Sequence, residues 1–282
     1  MIDGRQRQER VRSTLVYLSR TGELPALPQT ATAALAIARD PDADADALGR
    51  VIHTDVALAA RVLHVANSAA YARRAPARSL RDAIVALGLR KTCDVLVAAC
   101  FRQLTTALGP GAHELWNHSL AVGLAAEELA RSTRTIPPGT GFLPGLFHDV
   151  GRIAFLLADP VAAEVIQGLA DAGGGERCTL EHDWYGFDHT EAGSTLAADW
   201  GLDDEACAAI RWHHDPGSAG DARLLATVLN AADGLAYAIG CGFGSAERID
   251  STIVDLGLSA EDEAGCLERV QYAFTQENAL FA

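Results

Sequence analysis

The chain lacks several features that would each have set its class. It has six cysteines (Cys93, Cys100, Cys178, Cys207, Cys241 and Cys266), but none forms a Cys-x-x-Cys pair. With 282 residues it is long enough to hold itself together without disulfide staples. Reduced thiols in a cytoplasmic protein are therefore expected. The N-terminus, Met1 to Arg12, is charged and has no apolar core, so it does not read as a secretory signal. No apolar run approaches the roughly 20 residues of a membrane span. Positive charge is scarce as well: 23 Lys and Arg stand against 37 Asp and Glu, for a net charge of -14. That balance argues against a general nucleic-acid binder and against docking on an anionic membrane. Arg73, Arg74, Arg78, Arg81, Arg90 and Lys91 are clustered in sequence, which reads as a solvated face and loop. Alternating strand patterns, fixed-period repeats and long low-complexity segments are missing too.

What remains is helical. Apolar residues make up 49% of the chain, enough for a large core, and they recur at three- and four-residue spacing. The fold class expected is all-α. Residues 5–20 read as a leader helix, which can either dimerise or pack on the body. Pro25 and Pro28 then break the chain. Helix is expected from Thr30 to Ala38. Asp44 or Asp46 is expected to cap the next helix and Asp55 the one after, which Asn67-Ser68 ends. Ser79 caps Leu80–Leu87, Gly88 stops that helix, and another covers Thr92–Leu104. Gly109-Pro110-Gly111 is the best internal boundary. Beyond it, helices are expected over Leu115–Ala130, within 142–158, and near 188–200, 203–214, 221–239 and 259–280. Gly173-Gly174-Gly175 is a loop.

Residues with metal-ligand chemistry recur along the second half: His118, His148-Asp149, His189, His213-His214 and Asp233. Imidazoles and carboxylates suit divalent first-row metals. Glu114 shares a helix face with His118 and is a further candidate ligand. Phe147-His148-Asp149-Val150-Gly151-Arg152 places a His and a carboxylate at a helix edge. Its glycine permits close backbone approach, and Arg152 can pair with a phosphate. Asp233 sits in an otherwise apolar helix, where a carboxylate needs a partner. His53, His64, His113 and His182 read as ordinary surface or helix-end histidines. Trp184, Tyr185 and Phe187 can line a cleft near His189 or pack in the core.

These motifs, taken together, resemble the HDOD domain, a relative of the HD phosphohydrolases. The resemblance runs through Leu24-Pro25-Ala26-Leu27-Pro28, Ile52–Leu63, Ala66–Ala69 with Tyr71, and Ser79–Gly88. It continues through Trp116-Asn117-His118-Ser119 and Gly145–Gly151, so it spans about residues 24–235. With the leader helix taken over 1–20, the resemblance implies an N-terminal helical part over 21–109 and an HD-like helical part with C-terminal helices over 110–282. It also implies a regulatory or output role in bacterial signal transduction, mostly without catalysis, in which the N-terminal helical half, over residues 30–100, is expected to bind a protein partner and the HD-like half to be a metal-stabilised or vestigial scaffold.

His118, His148, Asp149 and Asp233 match the His…His-Asp…Asp pattern of HD hydrolases. His189, His213 and His214 match the added histidines of the enzymes that cleave cyclic di-GMP, and Glu114 matches a further carboxylate. The implied cofactor is one or two ions of iron, manganese or zinc. Two departures count against turnover. Arg152 stands where the family of enzymes has lysine, and Asp215-Pro216-Gly217 follows His213-His214 in place of a Gly-Tyr-Pro loop. The alternatives are a phosphohydrolase acting on a nucleotide or cyclic dinucleotide, with Asp149 and Arg152 as catalytic candidates, and a nucleotide sensor that does not cleave.

Overall fold

The structure, a computed structural model, describes residues 27–40, 42–68, 71, 76–173, 176–242 and 255–281. The expected leader helix and the arginines at 73 and 74 lie outside them. Every regular element among the described residues is a helix. None is long and apolar enough to cross a membrane.

Residues 27–107 with 272–282 form one compact unit, and 108–271 belong to another. The first holds α1 (Gln29–Arg39), α2 (Ala45–Ile52), α3 (Val56–Ala66), α4 (Leu80–Leu87) and α5 (Leu89–Ala107). Short polar side chains set their starts. Asp44 accepts from the Ala47 amide, Asp55 from Ala57 and Leu58, and Ser79 and Asp82 form a reciprocal capping box. Asn67 ends α3, and its amide exchanges two hydrogen bonds with the Ala77 backbone. α5 starts directly after Gly88, three residues earlier than the apolar pattern suggests, because Gly88 takes φ 81° and turns the chain at once. Helix α1 lies along α5, and Ala31, Ala34 and Leu35 are buried.

Lys91 is the only lysine of the chain. Its ammonium lies 3.1 and 3.3 Å from the two Glu277 carboxylate oxygens, and the Tyr71 hydroxyl is 3.2 Å from one of them. Burial lowers the lysine's pKa, but Glu277 more than offsets this and leaves it above the ordinary value. Removing one partner leaves the other poorly solvated. Glu277→Ala is expected to destabilise the protein by about 2 kcal/mol in chemical denaturation, below the range for a dry pair because Lys91 retains some solvent. An unchanged midpoint would refute that role.

The second unit is built from α6 (Pro110–Thr133), α7 (Phe142–Phe147), α8 (Arg152–Ala158), α9 (Pro160–Asp171), α10 (Arg177–Tyr185), α11 (His189–Asp199), α12 (Asp204–Arg211) and α13 (Arg223–Ala238). α14 (Ala260–Phe281) belongs to this unit up to residue 271. α6 is longer than its apolar core because Pro110 occupies its first turn, where a missing amide hydrogen is harmless. The segment 142–158 is not one helix: His148 to Gly151 form a turn between α7 and α8. α9 and α10 complete the region before His189. Asp159 caps α9 with Pro160 at its first position, a start signal present in the sequence but not singled out there.

Candidate metal centre

α6 packs against both α7 and α13. The approach to α7 is close because Gly123 faces Gly145; a Cβ on Gly145 would lie 2.9 Å from the Gly123 Cα. His118 on α6 therefore meets His148 at the end of α7 and Asp233 on α13. α11 reaches the same turn through a second glycine contact. A Cβ on Gly151 would overlap the carbonyl oxygen of His189 and crowd the Gly193 nitrogen. Asp188 caps α11 in a box with Glu191, which puts His189 at the first helical position. Arg211 at the end of α12 pairs with Glu191 and donates to the Thr190 hydroxyl. Asn230 on α13 donates to the His213 carbonyl at 2.7 Å and holds the His213-His214 turn.

Four of these imidazoles are oriented the same way. The Nδ1 atoms of His118, His148 and His213 lie 2.9, 2.8 and 2.8 Å from the carbonyl oxygens of Cys241, Gly145 and Ile210. The Nδ1 of His189 lies 2.6 Å from a Glu181 carboxylate oxygen. Those oxygens only accept, so in the neutral ring Nδ1 carries the proton and Nε2 presents its lone pair. The Nε2 atoms point inward: those of His118 and His148 are 3.1 Å apart. Burial pushes His148 down to about 4, and burial followed by the neighbouring His214 and His148 holds His213 well below the ordinary imidazole range. Both rings are neutral at neutral pH.

Asp149 stands between two groups. One carboxylate oxygen lies 3.5 and 3.6 Å from the Nε2 atoms of His118 and His148. The other lies 3.2 and 3.9 Å from those of His189 and His213. Asp233 is 3.3 Å from the His118 Nε2. The Asp149 carboxyl is penalised by burial, yet Arg152, His148 and His189 hold it well below the usual carboxylate range. Arg152 Nε is 2.9 Å from the oxygen that faces His118 and His148.

The side chains form two clusters with metal-ligand geometry: Asp149, His189, His213 and His214, and His118, His148 and Asp233. They fit a divalent ion on two physical grounds. Facing imidazole lone pairs repel one another unless a cation lies between them. The Asp149 oxygen that faces His189 and His213, one Asp233 oxygen and the His213 Nε2 are buried without a hydrogen-bond partner. Glu114 is exposed and lies outside both clusters. His53, His64 and His113 are exposed, and Phe187 is buried. Tyr185 stacks on Phe155 with ring centroids 4.4 Å apart.

Glu181 was not singled out in the sequence. It is 2% exposed and binds both the Nδ1 and, at 2.8 Å, the backbone amide of His189. No motif marks it, because it lies on a separate helix and touches the centre only through folding. Such outer carboxylates set ring orientation and basicity. Glu181→Leu is expected to weaken divalent-metal binding about 10–100-fold in competition with a chelating dye. Wild-type affinity in that variant would remove the positioning role.

Residues 24–216 match the model of the HDOD domain. The chain belongs to the HDOD family. All five histidines of the centre and Asp149 fall inside the match, while Asp233 on α13 lies beyond it. An HDOD domain protein of unknown function from Geobacter sulfurreducens is 26% identical, with 98% of this chain and 95% of that one covered and a TM-score of 0.75. A Shewanella amazonensis protein inferred to be a phosphohydrolase is 24% identical over 94% of this chain and 97% of its own, with a TM-score of 0.72. A Marinobacter aquaeolei protein inferred to act in signal transduction is 22% identical over 98% of this chain and 65% of its own, with a TM-score of 0.74. The last two likenesses show a shared fold. An uncharacterized Treponema pallidum protein is 25% identical over 200 residues, and this HDOD chain spans 38% of its length.

Proposed function

We propose that this HDOD chain is a bacterial signal-transduction module that acts by binding a protein partner, with a metal-organised core in residues 108–271. The observation that carries the reading is an exposed apolar ridge on α9. Val161, Val165 and Leu169 recur every fourth residue and are 71%, 44% and 41% exposed. Trp184, on the adjoining α10, is 56% exposed. An apolar face of this kind is the usual mark of a protein-binding surface. Among the described residues of 27–107 the exposed large apolar side chains are Val56 and Val85, one on each of two helices.

Affinity purification from the native organism tests the proposal. Wild-type protein should retain a defined set of proteins that the Val165→Glu, Leu169→Glu double variant loses, with metal content and melting temperature unchanged. Identical retention by the double variant would sink it.

A second reading, a metal-dependent phosphohydrolase for a nucleotide or cyclic dinucleotide, is favoured by the placement of Asp149 between two ligand groups. His118, His148, Asp149 and Asp233 would hold one ion of iron, manganese or zinc, and Asp149, His189, His213 and His214 another. Bound metal would supply Lewis-acid polarisation of a phosphate. In that reading Arg152, whose Nε faces Asp149, would steady the substrate phosphate with its terminal nitrogens. Turnover of a generic phosphodiester by metal-loaded protein, lost in His148→Ala, would establish it.

A further inference from the structure

Beside the metal centre, a cavity of about 450 Å³ opens among α8, α9, α10 and the start of α6. Its walls are largely apolar, from Phe155, Leu156, Ala163, Ile166 and Tyr185. Arg177 also lines it and is only 7% exposed. One guanidinium nitrogen donates to the Gln167 side-chain oxygen at 2.7 Å, and Gln167 is held in that orientation by its own amide bonds to Asp171. Gln167 is neutral. Among the described residues no carboxylate lies within ion-pairing distance of Arg177. The neighbouring acid and base are committed elsewhere: Glu181 to His189 and Arg152 to Asp149.

A buried guanidinium without an anion is expensive to keep. Burial and then the nearby Arg152 push its pKa down, and the more distant Glu181 and Asp149 offset this only in part. An apolar cavity whose wall holds the Arg177 guanidinium, beside an Arg152 already paired with Asp149, is complementary to a ligand that is apolar and carries one negative charge. Two exposed carboxylates on the lining, Glu114 and Glu164, oppose a ligand of higher charge. We propose that this cavity is a binding site for a small organic monocarboxylate, with its carboxylate on Arg177 and its hydrocarbon body against Phe155, Leu156 and Ile166.

The site also bears on the centre next to it. Arg152 and Glu181 line the cavity and hold Asp149 and His189 on their other side. Occupancy is therefore expected to change metal affinity, and bound metal to change carboxylate affinity by the same factor. This second step rests on the metal reading above; the binding site itself does not.

Calorimetric titration of hexanoate and benzoate into chelator-treated protein tests the site alone. Both should bind, whereas hexylamine and pyrophosphate should not. Arg177→Leu should weaken the carboxylates about 10–100-fold, the loss expected for one charge-assisted contact. That variant removes an uncompensated buried charge, so its melting temperature should stay or rise. Ala163→Phe keeps Arg177 and fills the cavity, and it should abolish binding as well. No heat from either carboxylate, equal binding of the amine, or full binding by Arg177→Leu would overturn the site. Repeating the titration with metal-loaded protein separates the two steps. Unchanged carboxylate affinity there would overturn the coupling while leaving the site in place.

Discussion

Protein purified without chelator is expected to carry near-stoichiometric iron, manganese or zinc, and His148→Ala is expected to lose it. His148 belongs to one cluster and faces Asp149 of the other. Its Nε2 faces that of His118 at 3.1 Å and the Asp149 carboxylate at 3.6 Å, while Gly145 fixes its other nitrogen. Truncation removes one ligand and the wall that orders the others. Chelation of the wild-type protein should also lower its melting temperature. Free metal at a hundred times its dissociation constant stabilises by about 2.7 kcal/mol. For a chain of this size that corresponds to a fall of about 5–10 °C when the metal is removed. Elemental analysis and a thermal melt read both effects. Absence of metal from wild-type protein, even after reconstitution with iron and manganese, would mean that the convergent imidazoles hold no ion.

Gly151→Ala should be the most damaging glycine-to-alanine change among the described residues. The new Cβ would overlap the His189 carbonyl oxygen and press on the Gly193 amide nitrogen, both backbone atoms of α11 that cannot swing aside. The helix would have to back away from the His148-Asp149 turn. We expect a loss of about 3 kcal/mol or more in chemical denaturation. Metal binding should fail with it, because His189 moves with α11. Gly168→Ala is the matched control. Gly168 sits within α9 with nothing near its prospective Cβ, so alanine there should stabilise by about 0.5–1 kcal/mol. If Gly151→Ala melted and bound metal like Gly168→Ala, the close approach of α11 to the turn would not be what positions His189.

Much of the fold could be read without coordinates because its signals are local. Asp44, Asp55, Ser79 and Asp188 cap the helices they precede, each by accepting backbone amides within three residues. Three- and four-residue apolar spacing marked the helices as helices, and the His and Asp residues could be picked out by type and order. Boundaries were less legible. Pro110 and Gly88 shifted two helix starts, and the 142–158 segment breaks at the residues that carry the chemistry.

The sequence by itself determined an all-α chain of acidic character, its capped helices, and a series of imidazoles and carboxylates suited to a divalent metal. Only the tertiary structure decided that Asp149 faces both histidine groups, since His118, His189 and His213 lie 31, 40 and 64 positions from it along the chain. It alone placed Glu181 on His189, left Glu114 outside the clusters, paired Arg152 with Asp149, and buried Arg177 in a cavity wall without a counter-ion. Capping and helical periodicity act over a few residues and leave a trace in the local sequence. Lone-pair convergence, desolvation and charge pairing depend on distances through space, which chain order does not contain.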